Sequence, residues 1–483
     1  MIVTREEMID IEQNSTLNTR ELINTVGEKL AEYIQSEIPK DKKLLIVAGK
    51  GNNGADALVL AALIKDIYNL RIYLISGNFS SPYAKEYYET LDKTLFINEL
   101  KDEYDVIIDG IYGFSFHPPI NEREREIFEK LNCMHAYKIS IDINSGAMAN
   151  DYKADEDAFK SDITLSLGAY KVFHMYQKIH HLFKEKRLIR LPLNLEHSTT
   201  YHEMNDEIFI DNYPFLKEDS YKGQNGKGLV IGGSYGMAGA LMFNLIGVRS
   251  FGDSYTYVIL DESIYPIIAS SLINPVYHPC DNDTYERIIK DMIPKTRTIL
   301  YGSGVNNLEY KEDILRILLS EFDGTLIIDA EGLRILKKYL DNLQNTRARI
   351  ILTPHMGEFA NLIDTDINTL RANRMELALD FVKKYHVTLI LKDVITLLIK
   401  DDKHIFINNH GNEALSKAGS GDILSGMIMQ ANAMINDDFK ASMMAVWLFN
   451  HLIEMITKDH SKTIYNHELY PVYADKFFRE HGK

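Results

Sequence analysis

Short apolar runs recur down this chain, each followed by a stretch of helical pattern, and the alternation lapses only once. The runs "LLIVA" (44–48), "RIYLI" (71–75), "DVIID" (105–109), "KISID" (138–142) and "ITLSL" (163–167) form a first series. A second begins at "GLVIGG" (228–233) and continues through "YTYVIL" (255–260), "TILYG" (298–302), "TLIID" (325–329), "RIILTP" (349–354) and "TLILK" (388–392). "ITLLI" (395–399) and "HIFIN" (404–408) then stand close together, like a hairpin. Runs of this kind read as buried strands, and their alternation with helices implies parallel strands with covering helices. From about 190 to 220 the pattern is polar, with scattered prolines and acids, and reads as a linker. The expectation is an α/β chain of two domains, one over 1–205 and a larger one over 215–483.

Composition narrows the function classes. With 53 basic and 69 acidic residues the net charge is −16, a poor match for a nucleic-acid backbone. Any phosphate must be held by local groups such as backbone N–H and single lysines. The two cysteines, Cys133 and Cys280, have no metal-type spacing and suit a reducing compartment. The start "MIVTREEMIDIE" has no signal-peptide core, and the apolar runs are too short to span a bilayer. The reading is a cytoplasmic protein with no nucleic-acid or membrane partner; a homo-oligomer stays open. Thr4 and Glu7 have capping-box spacing ahead of an N-terminal helix. The basic patch "KEKRLIR" (184–190) is expected to be a solvated helix end.

Motifs fall just after the strand ends, where open parallel sheets bind ligands. In "AGKGNNGADALVLAALI" (48–64), Gly49, Gly51 and Gly54 match G-x-G-x-x-G between a strand and a helix. The dinucleotide reading wants an acid at the end of the next strand, and "LISGN" has none; a P-loop wants Lys-Ser or Lys-Thr where Ala55 and Asp56 stand. What remains is a turn with two amides, Asn52 and Asn53, and a carboxylate, Asp56, at a helix N-terminus. That suits a cation or a phosphate, or is simply a tight turn. Asp109 and Asp142 end two further strands, so three polar clusters share one sheet edge.

"GKGNNGADALV", "DGIYGFSF", "SIDINSG" and "DITLSLGAYK" together resemble the NAD(P)H-hydrate epimerase domain over nearly all of 1–200. The resemblance implies that Asn53, Asp109 and Ser145 hold a potassium ion. It also implies that Asn52, Asn53, Gly54, Ala55 and Asp56, then Gly113, Phe114, Ser115, Phe116, His117, Pro118 and Pro119, with Asp142, face a hydrated nicotinamide nucleotide. Ala55 and Ala57 stand at family glycine positions, and Asn144 at a family proline.

The second series carries "YKGQNGKGLVIGGSYGMAGA" (221–240), "GSGVN" (302–306), "IDAEGL" (328–333), "LTPHMGEF" (352–359), "LKDVIT" (391–396) and "AGSGD" (418–422). Each has a plain alternative: Lys222 as a surface lysine, His355 as a helix cap, Asp329 as a turn residue, Asp422 as an N-cap. Together they resemble the ADP/ATP-dependent NAD(P)H-hydrate dehydratases, of ribokinase-like fold, over roughly 215–483, following a Rossmann-like first domain. The resemblance implies that Gly419, Ser420 and Gly421 form an anion hole and that Asp422 is the base. Lys392, Asp393, Val394, Ile395, Thr396 and Gly421 would contact ADP or ATP with Mg²⁺. Ala240, Gly304, His355 and Asp422 would meet hydrated NADH or NADPH. Asn306, Asp393 and Ala418 replace family glycines, and a carboxylate at 393 repels phosphates unless it turns away or meets Mg²⁺. The rivals are a small-molecule kinase of the same fold and a nucleotide-binding protein without catalysis.

Overall fold

The computed structural model describes residues 1–195, 200–218, 220, 223, 225–252 and 255–482; Lys222 lies outside them. The chain divides into two compact units, Met1–Tyr201 and His202–Lys483.

The first unit holds a seven-stranded parallel sheet in the order Phe96–Ile97, Asn69–Leu74, Lys43–Ala48, Val106–Gly110, Tyr137–Ile141, Ser161–Leu167, Phe183–Ile189. The strand Lys43–Ala48 comes first in the chain, and its successors go to either side of it. The crevice between its end and that of Val106–Gly110 is therefore a topological switch point, where ligands bind in open α/β sheets. The basic stretch "KEKRLIR" is not a helix end. It falls in the edge strand Phe183–Ile189, paired with Ser161–Leu167, whose buried ends Phe183 and Ile189 flank a largely exposed charged middle. A separate two-stranded parallel sheet pairs Ile2–Val3 with Tyr170–Lys171.

The second unit is built on a ten-stranded sheet whose parallel part runs Thr388–Leu391, Arg349–Leu352, Thr325–Ile328, Thr298–Tyr301, Lys227–Ile231, Tyr255–Asp261, Val276–Cys280. The expected hairpin is present as Thr396–Asp401 and His404–Asn408, antiparallel. The switch point here lies between Lys227–Ile231 and Thr298–Tyr301. Within the stretch expected to be linker, the helix Asp206–Asn212 buries Phe209 completely, beside Phe251, Trp447 and Phe477. Burying one such side chain is worth about 1.5–3 kcal/mol, so this helix is part of the second core.

Candidate active sites

In the first unit, the strand Lys43–Ala48 ends in a turn that opens the helix Asn52–Ile64. Gly54 is required by a close approach: a Cβ there would lie 2.0 Å from the Gly49 carbonyl oxygen. The turn forms one wall of a cavity of about 600 Å³. Asn52, Asn53, Asp56, Gly113, Phe114, Ser115, Phe116, His117, Pro119 and Asp142 line it. Gly54, Ala55 and Pro118 are not on its wall; Gly54 and Ala55 are buried behind it and Pro118 is exposed.

Asp142 sits at φ 66°, a left-handed conformation that costs a non-glycine residue about 1–3 kcal/mol and that clusters at functional sites. The turn aims its carboxylate at the fully buried Lys171 ammonium, with which it pairs, and at the amides of Phe114 and Leu167, each 3.3 Å away. Lys171 also donates to the Leu167 carbonyl at 2.9 Å. Asp56 is 7% exposed, and its carboxylate has no protein hydrogen bond among the described residues. Burial first, then the nearby Asp142 and Glu12 charges, push its carboxyl well above the usual range.

Asp109 lies beneath, fully buried. It accepts from Ser145 N (3.0 Å) and Oγ (2.6 Å), Ser140 Oγ (3.1 Å) and Ile111 N (3.1 Å). Burial pushes it up to about 6 against those four donors, and no basic side chain is among its influences. Asn53 packs beside Gly113, where the Asp142 carboxylate also approaches, and its backbone oxygen lies beside Gly110, the residue after Asp109. Its amide N–H donates to the Ile141 carbonyl at 3.4 Å. The set offers only oxygen donors around an uncompensated carboxylate, which fits a hard cation. Asn144, at the family proline position, fills its own buried network with Thr164, Ser161, Phe159 and Leu182.

In the second unit, Gly419 (φ 90°) turns the chain into the helix Ser420–Met434 and is itself the N-cap. Asp422 is the third residue of the first turn and caps nothing, so its side chain is left for other work. The helix is held by close packing on Ala238–Phe251: a Cβ on Gly426 would meet the Asn244 carbonyl oxygen at 2.0 Å, and one on Gly247 the Ile423 carbonyl oxygen at 2.0 Å. Asn244 Nδ2 donates to the Asp422 carbonyl at 2.8 Å. Burial, then the Asp329 charge, push the Asp422 carboxyl up to about 7, while Ser303 and Lys392 oppose the rise.

Lys392 Nζ pairs with Asp329 Oδ1 at 3.1 Å, and Asp329 also accepts from Ser425 of the same helix. Burial works against the Lys392 charge, but Asp329, Glu358 and Asp422 outweigh it and hold Lys392 above its ordinary range. Ala330, next to Asp329, has φ 49°, a second strained non-glycine residue at a site. A Cβ on Gly304 (φ 71°) would stand 3.2 Å from the Ala240 Cβ, so those two residues meet at the switch point. His355 is a helix cap: its Nδ1 accepts from Gly357 N (3.0 Å) and Glu358 N (3.2 Å), and its ring stays exposed. Its backbone bridges to Lys392.

The loop after Lys392 resolves the question raised by Asp393. Its carboxylate turns to Arg374, Nη1 to Oδ2 3.3 Å, an almost fully buried guanidinium on the helix Arg374–Tyr385. Val394 is exposed, and Ile395 and Thr396 have buried side chains. Asn306 Nδ2 approaches Glu331 at 3.3 Å. The structure thus adds Glu12 and Arg374 to the residues marked by motifs, and it gives Lys171, at the end of "DITLSLGAYK", and Asp329, in "IDAEGL", the partners that the motifs did not show. Glu12 and Arg374 reach their sites from distant parts of the chain and carry no local signal. Among the described residues no group of three or more His, Cys, Asp or Glu is arranged to hold a metal ion.

A family model described as NAD(P)H-hydrate dehydratase matches residues 228–472, and one described as YjeF-related protein N-terminus matches residues 19–173. The chain is 26% identical over 462 residues to the bifunctional NAD(P)H-hydrate repair enzyme Nnr of Thermofilum pendens, covering 88% of this chain and 86% of that one. It is 23% identical over 426 residues to the enzyme of that name from Escherichia coli, covering 85% and 80%. Among solved structures it is similar to the ADP/ATP-dependent NAD(P)H-hydrate dehydratase of Bacillus subtilis co-crystallised with ATP/Mg²⁺, at 25% identity and a TM-score of 0.51, covering 57% of this chain and 97% of that one.

Proposed function

The chain belongs to the NAD(P)H-hydrate dehydratase family, and from that premise we propose that it repairs hydrated nicotinamide cofactors, with one reaction in each unit. The first unit interconverts the R and S forms of NADH or NADPH hydrated at ring carbon 6. The second dehydrates the S form with ADP or ATP. The observation that carries the second assignment is the Asp422 carboxyl, raised to about 7 and freed from capping by Gly419, beside the Lys392–Asp329 pair.

Asp422 takes the proton of the ring hydroxyl as that oxygen attacks the terminal phosphorus of the nucleotide. Lys392 and the N–H groups of Gly419, Ser420 and Gly421 offset the charge on the transferring phosphoryl group. Hydroxide, a poor leaving group, is thereby replaced by phosphate. Loss of phosphate from carbon 6 and of a proton from carbon 5 restores the ring double bond. Mg²⁺ arrives with the nucleotide and neutralises its phosphates. Ala240, Gly304 and His355 border the hydrated ring, and Lys392 to Thr396 border the nucleotide. In the first unit, Asn53, Asp109 and Ser145 would hold potassium, which would supply the positive charge that the buried Asp109 lacks. The cofactor lies in the cavity lined by Asn52, Asp56, Gly113 to Phe116 and Asp142.

No helix among the described residues is long and apolar enough to cross a membrane, and the acidic charge suits free cytoplasmic nucleotides better than nucleic acid. The test is incubation of separated R- and S-hydrates of NADH with ADP or ATP and Mg²⁺. The expected products are NADH and free phosphate, with the R form consumed only by way of the S form. A stable phosphoester would make the protein a kinase, and no turnover would make it a nucleotide-binding protein.

A further inference from the structure

The helix Arg5–Gln13 presents two faces. Met8 and Ile11 are buried in the core, while Ile9 and Glu12, three residues apart and so on one side, line the cavity with Asp56 and Asp142. The helix is tied down. Thr4 and Glu7 form a capping box (3.1 and 2.7 Å), Glu7 also accepts from Thr200 N at 2.9 Å, and Glu6 accepts from Asn150 at 2.6 Å. Asp10 accepts from Asn14 at 3.0 Å. The strand leading into the helix pairs Val3 with Lys171, the residue whose ammonium holds Asp142. One short sheet therefore fixes both the helix carrying Glu12 and the lysine that pairs with Asp142. The other acids of this helix are engaged with neighbours, whereas the Glu12 carboxyl has no protein hydrogen bond among the described residues and reaches the cavity.

We propose that Glu12 is a catalytic residue of the epimerisation, the proton donor to the hydroxyl that leaves ring carbon 6; this rests on the reading of the first unit as an epimerase. The step balances with water alone. The C6–O bond breaks with its electron pair on oxygen, the Glu12 proton makes that oxygen water, and the lone pair of ring N1 forms an N1=C6 double bond. Water then adds to the opposite face of C6. The proton it releases returns to the Glu12 carboxylate through solvent. No C5 proton is lost, which separates this reaction from dehydration.

The charges around Glu12 favour this role. Asp142 is engaged with Lys171 and two amides, and Asp56 is unpartnered and deeply buried. Three carboxyl groups thus share one ammonium, with Lys50, His117 and Glu124 on the other walls. Two uncompensated charges in so enclosed a space are costly, so protons are retained there. Burial, then the Asp142 charge, push Glu12 up to about 7, where a carboxyl can both give and regain a proton near neutral pH. The three acids are not arranged to hold a metal ion, so proton handling is the chemistry they support.

Glu12→Gln in the full chain tests this, with R-to-S exchange followed chromatographically from pH 5 to 9 at saturating potassium. The expected result is a kcat lower by about 10²-fold or more, a KM within about threefold, and loss of the fall in rate above about pH 7 that is expected of the parent protein. Glu12→Asp, which keeps the acid on a shorter arm, should recover part of the rate and the alkaline limb. Dehydration of the S form by the same preparations, with a thermal melt, shows that each variant is intact. Parent-like exchange and pH profile in Glu12→Gln would overturn the proposal, as would an equal loss in Glu12→Asp. If the parent protein dehydrates the S form but never exchanges R with S, the epimerase reading itself fails and the proposal goes with it.

Discussion

In the first unit a fully buried lysine pairs with Asp142 behind the cavity that Asp142, Asp56 and Glu12 line; in the second, Lys392 faces Asp329 and Asp422 at the start of a fifteen-residue helix. Both sites lie at the switch point of a parallel sheet, and both use a glycine turn to open a helix. The difference is what the helix N-terminus offers. At Gly419–Gly421 it comes with the Lys392 ammonium, 3.3 Å from where a Cβ on Gly421 would stand, and suits an anion. At Asn52–Asp56 it is crowded by carboxyl groups and suits protons and a cation. On the proposed reading the same architecture serves phosphoryl transfer in one unit and reversible loss of hydroxyl in the other, and the choice lies in a few side chains rather than in the fold.

The sharpest way to break this comparison is Asp422→Asn. Gly419, not Asp422, caps the helix, so the melt should hardly move while NADH formation from the S form falls by roughly 10²–10⁴-fold. Normal turnover in a stable variant would leave the second site without its base. The matching change in the first unit is Asp109→Asn. It keeps the shape but removes the one charged member of the proposed potassium set, and the potassium needed for half-maximal epimerisation should rise on the order of 10²-fold. An unchanged potassium requirement would reduce Asp109 to an acceptor for Ser140, Ser145 and Ile111.

Smaller effects sharpen the contrast. Arg374→Met strips Asp393 of its partner beside the nucleotide loop, and the KM for nucleotide should rise about tenfold. Adding Asp393→Gly should restore it, and Asp393→Gly alone should change it little. The smallest expected effect is on pH dependence. In the proposed mechanism Asp422 acts as a carboxylate, and with burial and the Asp329 charge pushing it up to about 7, kcat/KM should fall as pH drops below that value. Asp329→Asn removes the neighbouring negative charge and should move this limb to lower pH by about one unit. A limb that stayed in place would mean that burial alone sets Asp422.

The central strands were legible because they are apolar on both faces, which only a covered parallel sheet explains. The edge strands were not. Phe183–Ile189 shows its charges to solvent, and Val276–Cys280 carries His278 and Pro279, so neither has the buried signature. The same division holds in the sites. Asp109, Asp142, Asp329 and Asp422 follow strands or glycines and announce themselves locally. Lys171 meets Asp142 from 29 residues away, and Glu12 comes from a helix outside the main sheet. Arg374 pairs with Asp393 across the helix Arg374–Tyr385 and a strand. Pairings of that kind are made by topology and leave no spacing to read.

The burial of Phe209 bears on how such a gene can be cut. Residues that look like spacer in "NDEIFIDNYPF" include an aromatic side chain wedged into the second core. A shortened reading frame that starts after Asn212 would leave a hole the size of a phenyl ring between Phe251, Trp447 and Phe477, at a cost of about 3–5 kcal/mol. A workable seam for splitting or fusing the two halves therefore lies upstream of that helix, near His202.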